Sequence, residues 1–215
     1  MRRVLLFSLG TLFLSMPITG QELRQTTQPQ WLPSKPQTWR ELKRQRVEMQ
    51  DLDYSCGAAA LATLLREFYG VETSEVRVLQ RMQKQTAASL ADLAKVADIY
   101  GFRAVGYWLP LSDLLKLKIP ALVHLVYRSE GHFSVVQGIR TDGLVALADP
   151  SWGNQKLLPH QFEELWDTDG TGGGKVLLII PKHRGRTMRG DFFSPPSGAV
   201  SAYEGLRFIR PSNDP

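Results

Sequence analysis

The sequence predicts an α+β fold, helices first and an antiparallel sheet after them. Up to Gly101 the apolar residues recur three and four apart, the spacing of helices with one buried face. From Phe102 onward they gather into short runs rich in Val, Ile, Leu and aromatic residues, the pattern of strands. Between two of those runs, Thr141-Asp142-Gly143 is a hairpin signal, and a hairpin makes its two strands antiparallel.

Taken in order, the chain opens with an export signal over residues 1–20. Arg2 and Arg3 form a basic start, Val4 to Met16 a short apolar run, and Ile18-Thr19-Gly20 a cleavable end before Gln21. Ser8, Gly10 and Thr11 interrupt a run already short for a bilayer, so no stable membrane span is expected after cleavage. The alternative is an uncleaved anchor. Residues 21–44 read as a linker rich in Gln, Thr and Pro, although 40–49 also fit a short helix or the lead into a strand. A folded domain is expected over 45–182.

Its first helix starts at Cys56, where a polar, extended segment ends. Leu61, Leu64, Leu65 and Phe68 form its stripe, and Gly70 stands where a glycine commonly closes a helix. A second helix is expected from Ser74 to about Gln85, with Val76, Leu79 and Met82 on one face. A third follows Ser89, whose spacing to Asp92 is that of a capping box, with Leu90, Leu93, Ala94 and Ala97 as its stripe and Gly101 as its stop. Strands are expected at Phe102–Leu109, Ile119–Tyr127, His132–Ile139, Leu144–Ala148 and Lys175–Ile180. Short helices are expected at Leu111–Lys116 and Pro159–Trp166. Residues 183–215, rich in Arg, Gly, Pro and Ser, read as a basic and largely irregular tail.

The net charge is +5, and its distribution narrows the function classes. Residues 21–50 and 182–215 each carry six basic and three acidic side chains, whereas 51–181 carries twelve basic and fifteen acidic. A slightly acidic core without a basic stripe interleaved with aromatics argues against nucleic acid as a partner. One cysteine and four scattered histidines show no ligand spacing, so neither a metal nor another cofactor is expected. Gly172-Gly173-Gly174 lacks the lysine and setting of a phosphate loop and reads as a connection.

Four residues carry the candidate chemistry. Cys56, the single cysteine, sits in the first turn of a helix, where unpaired N–H groups and the helix dipole favour a thiolate. In an exported chain it has no disulfide partner, which marks it as reactive. His132 and Asp149 lie nine residues before and eight residues after Thr141, so an antiparallel hairpin brings them near each other at its open end. A carboxylate there orients the imidazole and stabilises its charged form. Gln50 lies six residues before Cys56, close enough for its amide to join the Cys56 N–H in holding an oxyanion. Each has a bland counterpart: Cys56 as core filler, His132 as a packed strand residue, Asp149 as the opening of an Asx turn before Pro150, and Gln50 as surface. Their joint occurrence, at places one site can connect, favours a cysteine nucleophile with its base. His124 lies within an apolar strand and is expected to pack. His160 and His183 have no paired carboxylate at useful spacing.

Gln50-x5-Cys56-Gly57, then Gly131-His132-Phe-Ser-Val-Val136, then Asp149-Pro150-x-x-Gly153 resembles the C39 family of papain-like cysteine peptidases, the double-glycine leader peptidases. The likeness runs from about Val47 to Pro181. It implies a papain-like fold with Cys56 as nucleophile, His132 as general base and acid, Asp149 as orienter of His132 and Gln50 in the oxyanion hole. The family's usual acidic residue before the cysteine is Ser55 here. Familiar members are cytosolic domains fused to ABC transporters. With its export signal, this chain is more similar to stand-alone exported members, some of which accompany machinery that secretes amyloid or biofilm fibres. The expectation is a periplasmic or secreted cysteine peptidase acting on a secreted protein or leader peptide, with a secretion-system component as partner. The alternative is a non-catalytic module of the same fold that escorts a client.

Overall fold

The computed structural model describes residues 37–192 except 141, 168, 184 and 187. The expected signal, residues 21–36 of the expected linker and residues 193–215 of the expected tail lie outside the described residues. Helix α1 is Trp39–Arg44, α2 Cys56–Glu67, α3 Glu75–Met82 and α4 Leu90–Ile99. Strand β1 (Phe102–Leu109) leads through α5 (Leu111–Leu114) to β2 (Ala121–Tyr127), β3 (Glu130–Ile139), β4 (Val145–Asp149) and β5 (Gly153–Leu157). Helix α6 (Pro159–Trp166) and β6 (Gly174–Pro181) follow.

The molecule is built around α2. Gly57, Ala58, Ala59, Ala60 and Ala62 leave its surface so thin that neighbours close in on every side, and all residues from Cys56 to Leu65 are buried. A Cβ on Gly57 would lie 3.0 Å from the Ala88 Cβ and 3.1 Å from the Phe133 ring. The helix stops as the sequence predicts: Gly70 takes a left-handed φ of 63°, and the Val71 N–H returns to the Leu65 carbonyl at 2.9 Å.

Helices α3 and α4 pack against α2. The Ser89–Asp92 capping box is present, and α4 buries Leu93, Val96 and Ala97. The expected face of α3 is corrected. Val76 is 53% exposed and Val78 is fully buried. Glu75 decides this: its buried carboxylate accepts the Asp51 N–H, and its own N–H donates to Glu48 Oε1 at 3.0 Å. With Glu75 turned inward, Val78, Leu79 and Met82 share its face, and Val76, one residue on, points away. The polar contact also ties α3 to the loop that precedes Cys56.

Among the described residues the strands form one antiparallel sheet in the order β1-β6-β2-β3-β4-β5. Both of its faces are covered. Leu122, Phe133, Val135, Ala148, Leu177 and Ile179 join the core under α2 and α4. Ala121, Val123, Leu125, Leu147, Val176 and Leu178 pack on the other face with Phe162 and Trp166 of α6. Double coverage explains why β2 and β6 read as continuous apolar runs rather than alternating ones.

Three features refine the expectation. Residues 39–44, expected within the linker with a short helix over 40–49 as one alternative, form α1, opened by a Thr38–Glu41 capping box. The polar strand β5 was not expected; it pairs with β4 from Asp149↔Gly153 to Val145↔Leu157. Helix α1 docks on it: Asn154 Nδ2 donates to the Leu42 and Gln45 carbonyls, and Gly153 meets the Lys43 carbonyl so closely that a Cβ would stand 2.2 Å from it. Finally, the first part of the expected irregular tail returns to the core. The Arg189 N–H donates to the Phe68 carbonyl at 2.8 Å, and Phe192 is only 3% exposed.

Candidate active site

Cys56 is the first residue of α2, and the local sequence leaves its N–H groups open. Ser55 occupies the N-cap position but makes no side-chain cap. Its hydroxyl instead donates to the Leu52 carbonyl at 2.7 Å and accepts from the Leu52 N–H at 3.2 Å, closing the preceding turn. The backbone N–H groups of Gly57 in this first turn and of Phe133 on β3, together with His132, act on the thiol and favour its thiolate. Cys56 is 6% exposed.

His132 and Asp149 meet through a β-bulge. Near the turn, Ile139 pairs with Val145 and Gly138 with Ala146; past the irregularity at Gln137, Val136 pairs with Leu147 and Val135 with Ala148. One step further along this register, Ser134 stands opposite Asp149. Without the bulge Asp149 would stand opposite Val135, on the other face of the sheet from His132, because a one-residue slip reverses every side chain. With it, His132, two residues from Ser134, lies diagonally across from Asp149, and His132 Nε2 is 3.0 Å from Asp149 Oδ2. The sequence places the pair together by equal distance from the turn. The pair is together, but by this different register.

Asp149 is fully buried and fully partnered. Oδ1 accepts the N–H groups of Ser151 at 2.9 Å and Trp152 at 3.0 Å; Oδ2 accepts from His132 and from the Ser134 hydroxyl. One oxygen makes the Asx turn and the other faces the imidazole. Burial pushes its carboxyl up, but the hydrogen bond and charge of His132, with the bonds from Ser134 and Trp152, hold it below the usual carboxylate value.

With Nε2 on Asp149, Nδ1 is the ring nitrogen left for Cys56. Burial pulls the imidazole down, yet the hydrogen bonds and negative charges of Asp149 and Cys56 outweigh it and push His132 up to about 9. Burial likewise pushes the thiol up, and is outweighed by the hydrogen bond from His132, the Phe133 N–H and the His132 charge. Cys56 ends below its ordinary value. A lowered thiol beside a raised imidazole shifts the pair toward thiolate and imidazolium. The Tyr127 ring packs edge-on against His132, with centroids 5.6 Å apart.

Gln50 is beside this group but not bonded to it. Its N–H donates to the Pro150 carbonyl at 3.0 Å, Oε1 accepts from Ser151 Oγ at 2.8 Å, and Nε2 donates to the Leu52 carbonyl at 3.1 Å. These bonds tie the loop before Cys56 to the turn after Asp149. An amide nitrogen has two hydrogens, so one remains for a ligand. His124 packs as expected, edge-on to Phe133 at 5.2 Å, with its ring over Gly131. His160 and His183 are exposed. Sequence reasoning missed Ser134, Ser151 and Glu75. Ser134 was within reach of it, since strand alternation puts residues 132 and 134 on one face. Among the described residues no three His, Cys, Asp or Glu side chains converge as metal ligands.

The peptidase C39 family model matches residues 44–182. The chain belongs to the peptidase C39 family. It is 34% identical over 162 residues to the "probable functional amyloid protease FapD" of Pseudomonas aeruginosa, covering 68% of this chain and 71% of that one. The protein of the same description from Pseudomonas fluorescens is 32% identical over 173 residues, covering 77% and 72%. Among solved structures, the peptidase domain of Streptococcus ComA, a bifunctional ABC transporter, superposes with a TM-score of 0.55 at 20% identity, covering 63% of this chain and 97% of that domain. A double-glycine-motif protease from an AMS/PCAT transporter, solved with its leader peptide, gives a TM-score of 0.53 at 27% identity, covering 63% and 90%. The C39 chain described here is thus a cysteine peptidase with the papain-like fold.

Proposed function

We propose that this C39 peptidase is exported and cleaves a peptide bond in a secreted protein or leader peptide by acyl transfer on Cys56, serving a fibre or biofilm secretion system. The observation that carries the mechanism is the 3.0 Å contact of His132 Nε2 with the buried Asp149 Oδ2, with Cys56 acting on the same imidazole. The Cys56 thiolate attacks the scissile carbonyl carbon. The resulting oxyanion is held by the Cys56 N–H and by the free hydrogen of Gln50 Nε2. As the C–N bond breaks, His132 gives its proton to the leaving amine, leaving a thioester on Cys56. His132 then takes a proton from water, whose oxygen attacks the thioester, and Cys56 leaves again as thiolate. Asp149 keeps the ring in place and its charged form favoured. The fibre context is supported by the FapD relatives, and the leader-peptide class by the ligand of the AMS/PCAT protease structure.

The test is cleavage of a panel of secreted fibre subunits and leader peptides, with and without a Gly-Gly site, read by mass spectrometry. The full chain is expected to yield a defined product, and Cys56→Ala, folded by circular dichroism, none. Equal cleavage by Cys56→Ala would overturn the mechanism. Tight binding of a panel member without cleavage by either protein would replace it with the client-escort reading.

A further inference from the structure

Resting on the acyl-transfer reading above, we propose that Ser134 is a positioning residue of this site, acting through Asp149 to limit how strongly the carboxylate holds the His132 proton. Ser134 and Asp149 are both fully buried, so neither exchanges its partner for water. The Ser134 hydroxyl donates to Oδ2, the same oxygen that faces His132 Nε2, while Oδ1 is occupied by two backbone N–H groups. Every donor to this carboxylate except Ser134 is either backbone or His132 itself. The hydroxyl is therefore the one side chain that both fixes the rotation of the carboxylate and answers part of the charge on Oδ2. In a buried site such a charge is undiluted by solvent.

The consequence follows from the task of the imidazole. It must hold a proton beside the thiolate and then release it to the leaving amine, and an acid far above the working pH releases it poorly. The groups facing His132 are Asp149 from β4, Cys56 from α2, and Tyr127 and His124 from β2. Two of these are anionic in the working state and hold the proton on the ring. His124 opposes them only when charged, and burial pulls it down first, with the charges of Lys175 and His132 adding to that. Ser134 opposes them through the carboxylate without carrying a charge.

The experiment is a titration of the His132 ring by histidine-labelled NMR on the full chain, in wild type, Ser134→Ala and Ser134→Thr, with circular dichroism as the check on folding. Losing a hydrogen bond to a charged group predicts an upward shift in Ser134→Ala of about half a unit to one unit. Ser134→Thr keeps the hydroxyl and is expected to titrate like wild type. An unchanged or lowered titration in Ser134→Ala overturns the inference, as does a Ser134→Thr protein that behaves like Ser134→Ala. The readout needs no substrate, so it separates this inference from the peptidase reading. A shift as expected in a chain that cleaves nothing would sustain the one and sink the other.

Discussion

At the scale of single residues, the site depends on which state each group holds at working pH. In the proposed mechanism the active pair is thiolate with imidazolium, so cleavage is expected to rise as Cys56 loses its proton, below the ordinary thiol value, and to fall as His132 loses its own near 9. Asp149→Asn removes the charge that raises His132. The alkaline limb of kcat/KM is then expected to move to lower pH, toward the free-imidazole value of about 6.5, with activity down about a hundredfold. A pH–rate profile of the variant checks both, and an unmoved alkaline limb would contradict the role given to Asp149. Cys56, His132 and Asp149 were legible in the sequence because their chemistry is rare and their spacing is long-range. Ser134 was not singled out, because a serine in a strand is ordinary until its partner is known. Gln50 was legible as a neighbour of Cys56, but its bonds to Ser151 and Leu52 depend on a loop whose course no periodicity describes.

At the scale of elements, two local irregularities place the site. The bulge at Gln137 turns Asp149 to the face of His132. Gly138 inside the strand allows a bulge without fixing where it falls, which is why the hairpin was legible and its register was open to a one-residue shift. Deleting Gln137 removes the unpaired residue and leaves Gly138 opposite Ala146, Val136 opposite Leu147 and so Ser134 opposite Asp149, and the raised titration of His132 is expected to persist in a chain that still folds. NMR of the ring decides this. Helix α3 shows the same limit from another side. Its apolar residues allow two faces, and the choice falls to the buried carboxylate of Glu75, an interaction with a distant loop. Val78→Ala is expected to cost about 2 kcal/mol by lost burial and a cavity. Val76→Ala should stay within about 0.5 kcal/mol. Urea melts of the two variants would expose the opposite order if the face were wrong. The capping box of α4, by contrast, is local and was read directly.

At the scale of the whole molecule, Arg46 gathers distant parts of the chain. Its guanidinium bonds Glu67 at the end of α2 at 2.9 Å, reaches Asp191 at 3.1 Å and lies over the Phe192 ring. The segment after β6 is thus part of the packed body, although its composition reads as irregular, since one aromatic anchor carries little weight in a window of Arg, Gly and Ser. Phe192→Ala is expected to cost about 3 kcal/mol, seen as a lowered urea midpoint with the His132 titration unchanged, because the anchor lies at the far end of α2 from Cys56. Stability should also depend on pH through the site. His132 is raised in the folded state, so its contribution is complete below the unfolded value of about 6.5 and lost as pH rises through about 9. Asp149 is lowered, so its contribution is present above the unfolded value of about 3.9 and lost as pH falls through the folded one.

The burial of α2 along nearly its whole length sets how the enzyme can be controlled. A helix wrapped on all sides opens to solvent only when the molecule as a whole does, so amide hydrogens along it should exchange with deuterium at the rate of global unfolding. The nucleophile then has no loosened, partly melted resting form. Control of this peptidase is therefore expected to act on the approach to Cys56, by blocking or admitting the substrate, rather than by melting the helix that carries it.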